Sequence, residues 1–221
     1  MKKLEIACFN LPSAKIAAHA GADRIEFCAN YTLGGITPNE ADFNELRALY
    51  SGPIYVMIRP RGGNFVYTDT ELMQMQEDIN AFSKLGADGF VFGALTTNGQ
   101  VDLAANEQLI AATSGLPCTF HRAFDSCINQ QEASSRLESL GFNNILSSGG
   151  MKTALDGIEN LRSAQKNTTL NIIAGGGIRS STIVALARQF ETEFYHSSGI
   201  INGDIADATE ITALKKALAL C

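Results

Sequence analysis

A short apolar run followed by a helical stretch recurs eight times along this chain, and that recurrence limits what it can fold into. The apolar runs are Leu4 to Cys8, Arg24 to Cys28, Ile54 to Ile58, Gly89 to Phe92, Cys118 to His121, Asn144 to Ser147, Asn171 to Ala174 and Glu193 to His196. Helical stretches follow them at about Pro12 to Ala20, Leu103 to Thr113, Gln130 to Leu140, Thr153 to Gln165, Ser180 to Arg188 and Ala208 to Leu220. Two more helices open on capping boxes, Thr37-Pro38-Asn39-Glu40 (with proline at the first helical position) and Thr68-Asp69-Thr70-Glu71. In the second of these helices Leu72, Met75, Ile79, Phe82 and Leu85 fall at helical spacing, which makes them core residues. Glycines at Gly21, Gly86 and Gly141 stand where a helix must end and the chain turn back into a sheet.

Alternating strands and helices imply a parallel sheet. Eight units in 221 residues predict a closed (β/α)8 TIM barrel near the short end of its usual range of about 200 to 400 residues. The rival is an open doubly wound sheet, which favours a glycine-rich turn after its first strand. This chain has Phe9-Asn10-Leu11-Pro12 there. No break in composition divides the sequence, so residues 1–221 are expected to form one barrel domain.

Several function classes are excluded by charge and patterning. A net charge of −6 argues against a general nucleic-acid binder, which needs a basic face. No apolar run reaches the length of roughly 18–20 residues that a membrane span requires. The opening Met1-Lys2-Lys3-Leu4-Glu5 runs straight into a strand pattern, so the expected location is the cytoplasm. The five cysteines form no CxxC and have no zinc spacing, and in a reducing compartment they stay thiols.

Function in such a barrel gathers at the C-terminal ends of the strands. Those ends carry Cys8-Phe9-Asn10, Cys28-Ala29-Asn30, Arg59-Pro60-Arg61, Phe92-Gly93, His121-Arg122, Ser147-Ser148-Gly149-Gly150, Gly175-Gly176-Gly177 and His196-Ser197-Ser198. The opposite ends begin plainly, at Arg24, Gly89, Asn143 and Asn171. The barrel therefore has one polar mouth. Period-two alternation turns Tyr55, Met57 and Arg59 inward, together with Arg24, Glu26 and Cys28. Phe194 and His196 share a face, and Cys8 lies opposite Glu5 unless its strand ends or bulges there.

Four chemistries follow from these residues. Gly175, Gly176, Gly177, Ser197 and Ser198 sit after strands seven and eight, where barrels hold phosphate, although tight turns account for them equally. Arg59, Arg61 and Arg122 add guanidinium forks for an anion. The alternative for Arg59 and Arg61 is internal pairing with Glu5 and Glu26. His121, His196, Glu26 and Asp125 can move protons, or else simply line the mouth with hydrogen bonds. Cys8 and Cys28 end neighbouring strands and offer a soft-metal pair for an ion such as Cu(I), against the alternative of two buried small residues. A serine or cysteine nucleophile finds no support, since there is no Gly-x-Ser-x-Gly elbow and no base beside Cys118 or Cys127.

Several segments together resemble the CutC family. They are Leu4-Glu5-Ile6-Ala7-Cys8, Gly21-Ala22-Asp23-Arg24-Ile25-Glu26-Phe27-Cys28, Ile58-Arg59-Pro60-Arg61-Gly62-Gly63, Thr119-Phe120-His121-Arg122-Ala123-Phe124-Asp125 and His196-Ser197-Ser198. The resemblance runs from residue 4 to about residue 199. It implies a cytosolic TIM barrel, often a homo-oligomer, connected with copper homeostasis, and places Cu(I) at Cys8 and Cys28. Two departures stand out. The segment between Ser198 and the last helix is shorter than in many members, and Ser147 replaces a frequent threonine. Two functions are therefore expected to compete: copper binding, or an enzyme acting on a small anionic or phosphorylated metabolite at the mouth.

Overall fold

The structure is a computed structural model and describes residues 2–221. Eight parallel strands close into a barrel in sequence order. They are β1 (Lys3–Cys8), β2 (Arg24–Phe27), β3 (Ile54–Met57), β4 (Gly89–Phe92), β5 (Cys118–Phe120), β6 (Asn144–Ser147), β7 (Asn171–Gly175) and β8 (Phe194–Ser197). The helices are α1 (Leu11–His19), α2 (Glu40–Leu49), α3 (Asp69–Leu85), α4 (Leu103–Ala112), α5 (Gln130–Leu140), α6 (Ile158–Lys166), α7 (Ile183–Gln189) and α8 (Ala208–Leu218). The expected TIM barrel is thus the observed architecture.

The sheet has two faces with different jobs. Leu4, Ile6, Ile25, Phe27, Ile54, Val56, Phe90 and Phe92 point outward and are buried in one apolar layer with Ala14, Ala17, Phe43, Leu46, Met75, Ile79 and Phe82 of α1 to α3. Area removed from water on this outer layer supplies most of the fold's driving force, since full burial of such a side chain contributes about 1.5–3 kcal/mol. The inner face is far more polar. Glu5, Arg24, Glu26, Thr119 and Asn144 are buried there, and polar groups so placed must find partners or remain costly.

Helix starts differ from expectation at α2, α6 and α7, which begins at Ile183 rather than about Ser180, and the first two have identifiable reasons. Thr37 does not cap α2. Its N–H donates to the Arg59 carbonyl at 2.9 Å and its hydroxyl accepts from the Arg59 N–H at 2.9 Å, which bridges two loops. Asn39 takes over, accepting from the Asp42 N–H at 2.8 Å, and Pro38 lies outside the helix. The second shift is α6, which starts at Ile158 rather than Thr153. Thr153 closes a local turn with Asp156, and Gly157 lies so close to Ser148 that a Cβ there would stand 1.9 Å from the Ser148 carbonyl oxygen.

The α3 capping box forms as read: the Thr68 hydroxyl accepts from the Glu71 N–H, and Glu71 accepts from the Thr68 N–H at 2.8 Å. Thr68→Ala is expected to cost about 1 kcal/mol, read as a lower urea midpoint with an unchanged slope.

Candidate active site

The floor of the mouth is built by three neighbouring strands. Register places Glu5 of β1 opposite Arg24 of β2 on one side and opposite His196 of β8 on the other. Glu5 forms a buried ion pair with the Arg24 guanidinium and a 2.7 Å hydrogen bond with His196 Nδ1. Burial alone pushes the Glu5 carboxyl up, but Arg24 and His196 outweigh it and hold the group at about 2. Arg24 lies between the rings of Tyr55 and Phe194, with its guanidinium carbon 4.2 and 3.7 Å from their centroids.

Glu26, two residues beyond Arg24, faces the same interior. Its Oε1 accepts from the Cys28 thiol at 3.3 Å, while its buried Oε2 has no partner and lies 3.9 Å from His196 Nδ1. Burial raises the Glu26 carboxyl above its ordinary range, a rise that His196 opposes and the nearby Glu5 charge reinforces. For His196, burial disfavours the charged ring, but the Glu26 charge and the Glu5 hydrogen bond prevail and raise it. One carboxylate ionised at neutral pH, one proton-prone carboxylate and one proton-rich imidazole therefore lie side by side. Glu5, Glu26 and His196 also bring one ligand atom each within 4.8 Å of one another, a donor set of oxygen and nitrogen.

Above this floor opens a cavity of about 320 Å³ whose walls include Glu26, His196, His121, Arg122, Gly177 and Ser198. That volume suits a small metabolite. Gly176 and Gly177 hold positive φ values of 111° and 64°, which glycine adopts at little cost. Among the described residues, the N–H groups of Gly177, Ile178 and Ser198 donate to no other group of the chain. Arg179 braces this rim, donating to the carbonyls of Ile178 at 2.8 Å and Ile200 at 2.9 Å while lining the cavity. Gly175 ends β7 just below, and the Ser197 hydroxyl donates to the Ile178 carbonyl at 2.9 Å, so that serine fixes the loop.

Other expected residues are placed differently. Neither Arg59 nor Arg61 pairs with Glu5 or Glu26. Arg59 is buried and donates to the carbonyls of Leu33, Gly35 and Gly63 at 2.9–3.0 Å, pinning the loops after β2 and β3. It still lines the cavity, with Nε unpartnered. Arg61 turns away from the cavity. It bonds Glu71 Oε1 at 2.5 Å and the Val66 carbonyl at 2.7 Å, which ties its loop to the start of α3. Asp125 is engaged too: it accepts from the Ser147 hydroxyl at 2.6 Å, the Gly150 N–H at 3.0 Å and Arg122 Nε at 2.8 Å. It orders the loops after β5 and β6 and keeps no lone pair toward the cavity for proton transfer. Arg122 joins it to Ser148 through a 2.7 Å bond and itself lines the cavity.

His121 begins the loop after β5. Its Nδ1 accepts from the Ala123 N–H at 3.3 Å, which leaves the ring hydrogen on Nε2, and that buried nitrogen has no partner. Burial first, and the Arg59 charge second, push the imidazole down to about 3, so it is neutral at pH 7.

The sequence profile of the CutC family matches residues 2–201. The chain belongs to the CutC family. A CutC family protein of Pectobacterium atrosepticum is 38% identical over 200 residues, covering 90% of this chain and 79% of that protein. One from Bacteroides thetaiotaomicron is 41% identical over 203 residues, covering 90% and 82%. Among solved structures, a CutC from Streptococcus agalactiae, provisionally named a copper homeostasis protein, superposes with a TM-score of 0.85 at 33% identity, covering 90% of this chain and 99% of that one. Phosphoribosylanthranilate isomerase from Thermotoga maritima shares the fold alone, with a TM-score of 0.67 at 13% identity over 100% of both chains.

The CutC name raises the question of whether Cu(I) fits at Cys8 and Cys28. The two residues lie on adjacent strand ends, and the Cys28 N–H donates to the Cys8 carbonyl at 2.8 Å. Their side chains leave the sheet on opposite faces. Cys8 follows Leu4 and Ile6 into the outer apolar layer, where its thiol meets the Ile6 carbonyl at 3.6 Å. Cys28 packs inside the barrel with Tyr55, Met57 and Val91. Burial first, then the Glu26 charge, pushes both thiols well up. Cu(I) selects thiolates. These thiols resist ionisation and do not converge, so the pair does not fit the ion.

Proposed function

We propose that this CutC protein is an enzyme whose substrate is a small anionic metabolite, bound in the cavity at the C-terminal mouth of the barrel. The observation that carries this reading is the division of the cavity into two halves. One half offers unpaired backbone donors from Gly177, Ile178 and Ser198 flanked by Arg122 and Arg179, a setting for a phosphate or carboxylate. The other half presents His196 and Glu26, held by Glu5, for proton transfer. A purely structural mouth would leave neither a cavity nor unmatched polar atoms, since buried polar groups are normally paired. Cu(I) at Cys8 and Cys28 receives no support from the placement of the two thiols.

The test is calorimetric titration of the protein with inorganic phosphate and a simple phosphomonoester. Binding is expected, weakened about tenfold or more in Arg179→Ala or Arg122→Ala, as loss of a charge-assisted contact implies. Arg61→Ala is expected to bind the anion like wild type while melting at a lower temperature, because its guanidinium serves α3 and not the cavity. A Cys8→Ser, Cys28→Ser variant is expected to show the same Cu(I) affinity as wild type in anaerobic competition. Absence of anion binding, or a cysteine-dependent tight Cu(I) site, would overturn the reading.

A further inference from the structure

Three residues that line the cavity each carry a buried side-chain atom with no hydrogen-bond partner: Arg59 Nε, His121 Nε2 and Glu26 Oε2. The last two are opposite in kind: His121 Nε2–H is a donor and Glu26 Oε2 an acceptor. A buried group without a partner costs about 1–3 kcal/mol, so a pair of them in one cavity asks for a ligand that satisfies both. A further residue, His196, lines the cavity while its Nδ1 is held by Glu5, which leaves Nε2 as its other ring nitrogen. The ligand that matches this set has an oxygen acceptor beside His121 and His196, an acidic hydrogen beside Glu26 and an anionic tail at the Gly177 and Ser198 rim.

We propose that the substrate is a phosphorylated α-hydroxy carbonyl compound and that the site catalyses proton transfer next to its carbonyl, interconverting it through an enediol. This inference rests on the anion-site reading above. In the step, the Glu26 carboxylate takes the proton from the carbon α to the carbonyl. The C–H electron pair becomes the C=C bond, the carbonyl π pair moves to oxygen, and that oxygen takes the proton from His196 Nε2. Return of the Glu26 proton to the neighbouring carbon, with a hydroxyl proton passing back to His196, completes an isomerisation with no oxidant or co-reactant. His121 donates a hydrogen bond to the developing oxyanion and stays neutral throughout. A carboxylate base beside a neutral imidazole donor is an arrangement suited to enolisation, because a neutral donor's proton affinity better matches the enediolate. The environment agrees: Glu26 is raised from the ordinary carboxylate range, and Arg59 helps keep His121 unprotonated.

The experiment is deuterium exchange, followed by proton NMR in heavy water, with dihydroxyacetone phosphate and ribulose 5-phosphate as probes. Calorimetric titration with each probe and with inorganic phosphate runs in parallel. Wild type is expected to speed exchange at the carbon α to the carbonyl at least a hundredfold over buffer. Glu26→Gln is expected to lose about a hundredfold or more, the usual contribution of a positioned base, while retaining phosphate binding. His121→Gln is expected to exchange about tenfold slower with probe affinity little changed. Probes that bind without exchange would overturn the proton-transfer chemistry and leave the anion site standing. Phosphate that binds where neither probe does would overturn the substrate class. No binding of any of them would overturn the anion reading and this inference with it.

Discussion

Glu5→Ala is expected to cost this protein about 3–5 kcal/mol of folding stability, the usual penalty for removing one partner of a buried ion pair. Glu5 is wholly buried, and it is the counter-ion of an Arg24 that is itself only 4% exposed. The rings of Tyr55 and Phe194 enclose that guanidinium, and its second terminal nitrogen already lacks a partner. Without Glu5 the positive charge would remain in the barrel with no carboxylate against it. Domains of this kind are stable by about 5–15 kcal/mol in total, so the loss would be a large part of the whole. Glu5→Gln keeps the volume and one hydrogen bond and should fall between. Urea unfolding at pH 7 measures the difference. A Glu5→Ala protein within 1 kcal/mol of wild type would mean that the pair contributes little and that Arg24 relaxes to water. The same carboxyl has a pH signature. Its value drops from 4.5 unfolded to about 2 folded, so its contribution is complete above pH 4.5 and disappears as pH falls through 2. At about 1.4 kcal/mol for each pH unit, that contribution is about 3 kcal/mol.

The barrel was legible because its cause is local. Most outward strand residues are apolar and most helices carry a side-chain cap, so Gln130–Leu140 and Asn144–Ser147 could be bounded from neighbouring residues alone. The alternation of β1 and β2 likewise put Glu5, Arg24 and Glu26 on one inward face. The sequence reading nevertheless offered Arg59 and Arg61, as the alternative to an anion site, as partners for Glu5 and Glu26. Alternation fixes a face but leaves the height along the barrel open, and it is the Glu5–Arg24 register that joins those two. Arg61 shows a different limit. Its position after a strand promised an anion fork, but an arginine with five donors is captured by whichever carbonyls its loop presents, here Asn64 and Val66, and loop paths are not periodic. Asp125 was read as one of four groups able to move protons, and donors from Ser147, Ser148 and Gly150 engage it in the fold. Cys8 is the case where strict alternation was sufficient. On paper it lay opposite Glu5 unless its strand ended or bulged there, and in the fold β1 continues regularly through Cys8, so it points outward.

His121 should govern how the fold responds to mild acid. Its ring ordinarily takes a proton near 6.5, but burial and the Arg59 charge push it down to about 3 in the folded state. As pH falls below 6.5 the unfolded chain gains a proton that the folded chain refuses, so stability must fall until pH reaches about 3. Over the full window the loss is about 5 kcal/mol, of which about 3 kcal/mol falls between pH 6.5 and 4.5. Glu5 adds nothing in that upper part, because its loss begins only below 4.5. Glu26 acts in the other direction, since a carboxyl raised in the folded state gains stability as pH falls toward 4.5. His196 is raised, so its contribution is fully present below 6.5 and is lost only as pH rises through its folded value. The difference between wild type and His121→Gln removes these shared contributions. Urea unfolding of both proteins from pH 7 to 4.5 is expected to show wild type losing about 3 kcal/mol more than the variant. Parallel stability curves would mean that the folded ring titrates normally and is therefore in contact with water. In that case Nε2 would not be a dry, neutral donor at the cavity wall, and the carbonyl-polarising role would fall with it. The burial that makes the fold sensitive to acid is the same burial that keeps this imidazole neutral, so a stability measurement bears directly on the chemistry of the site.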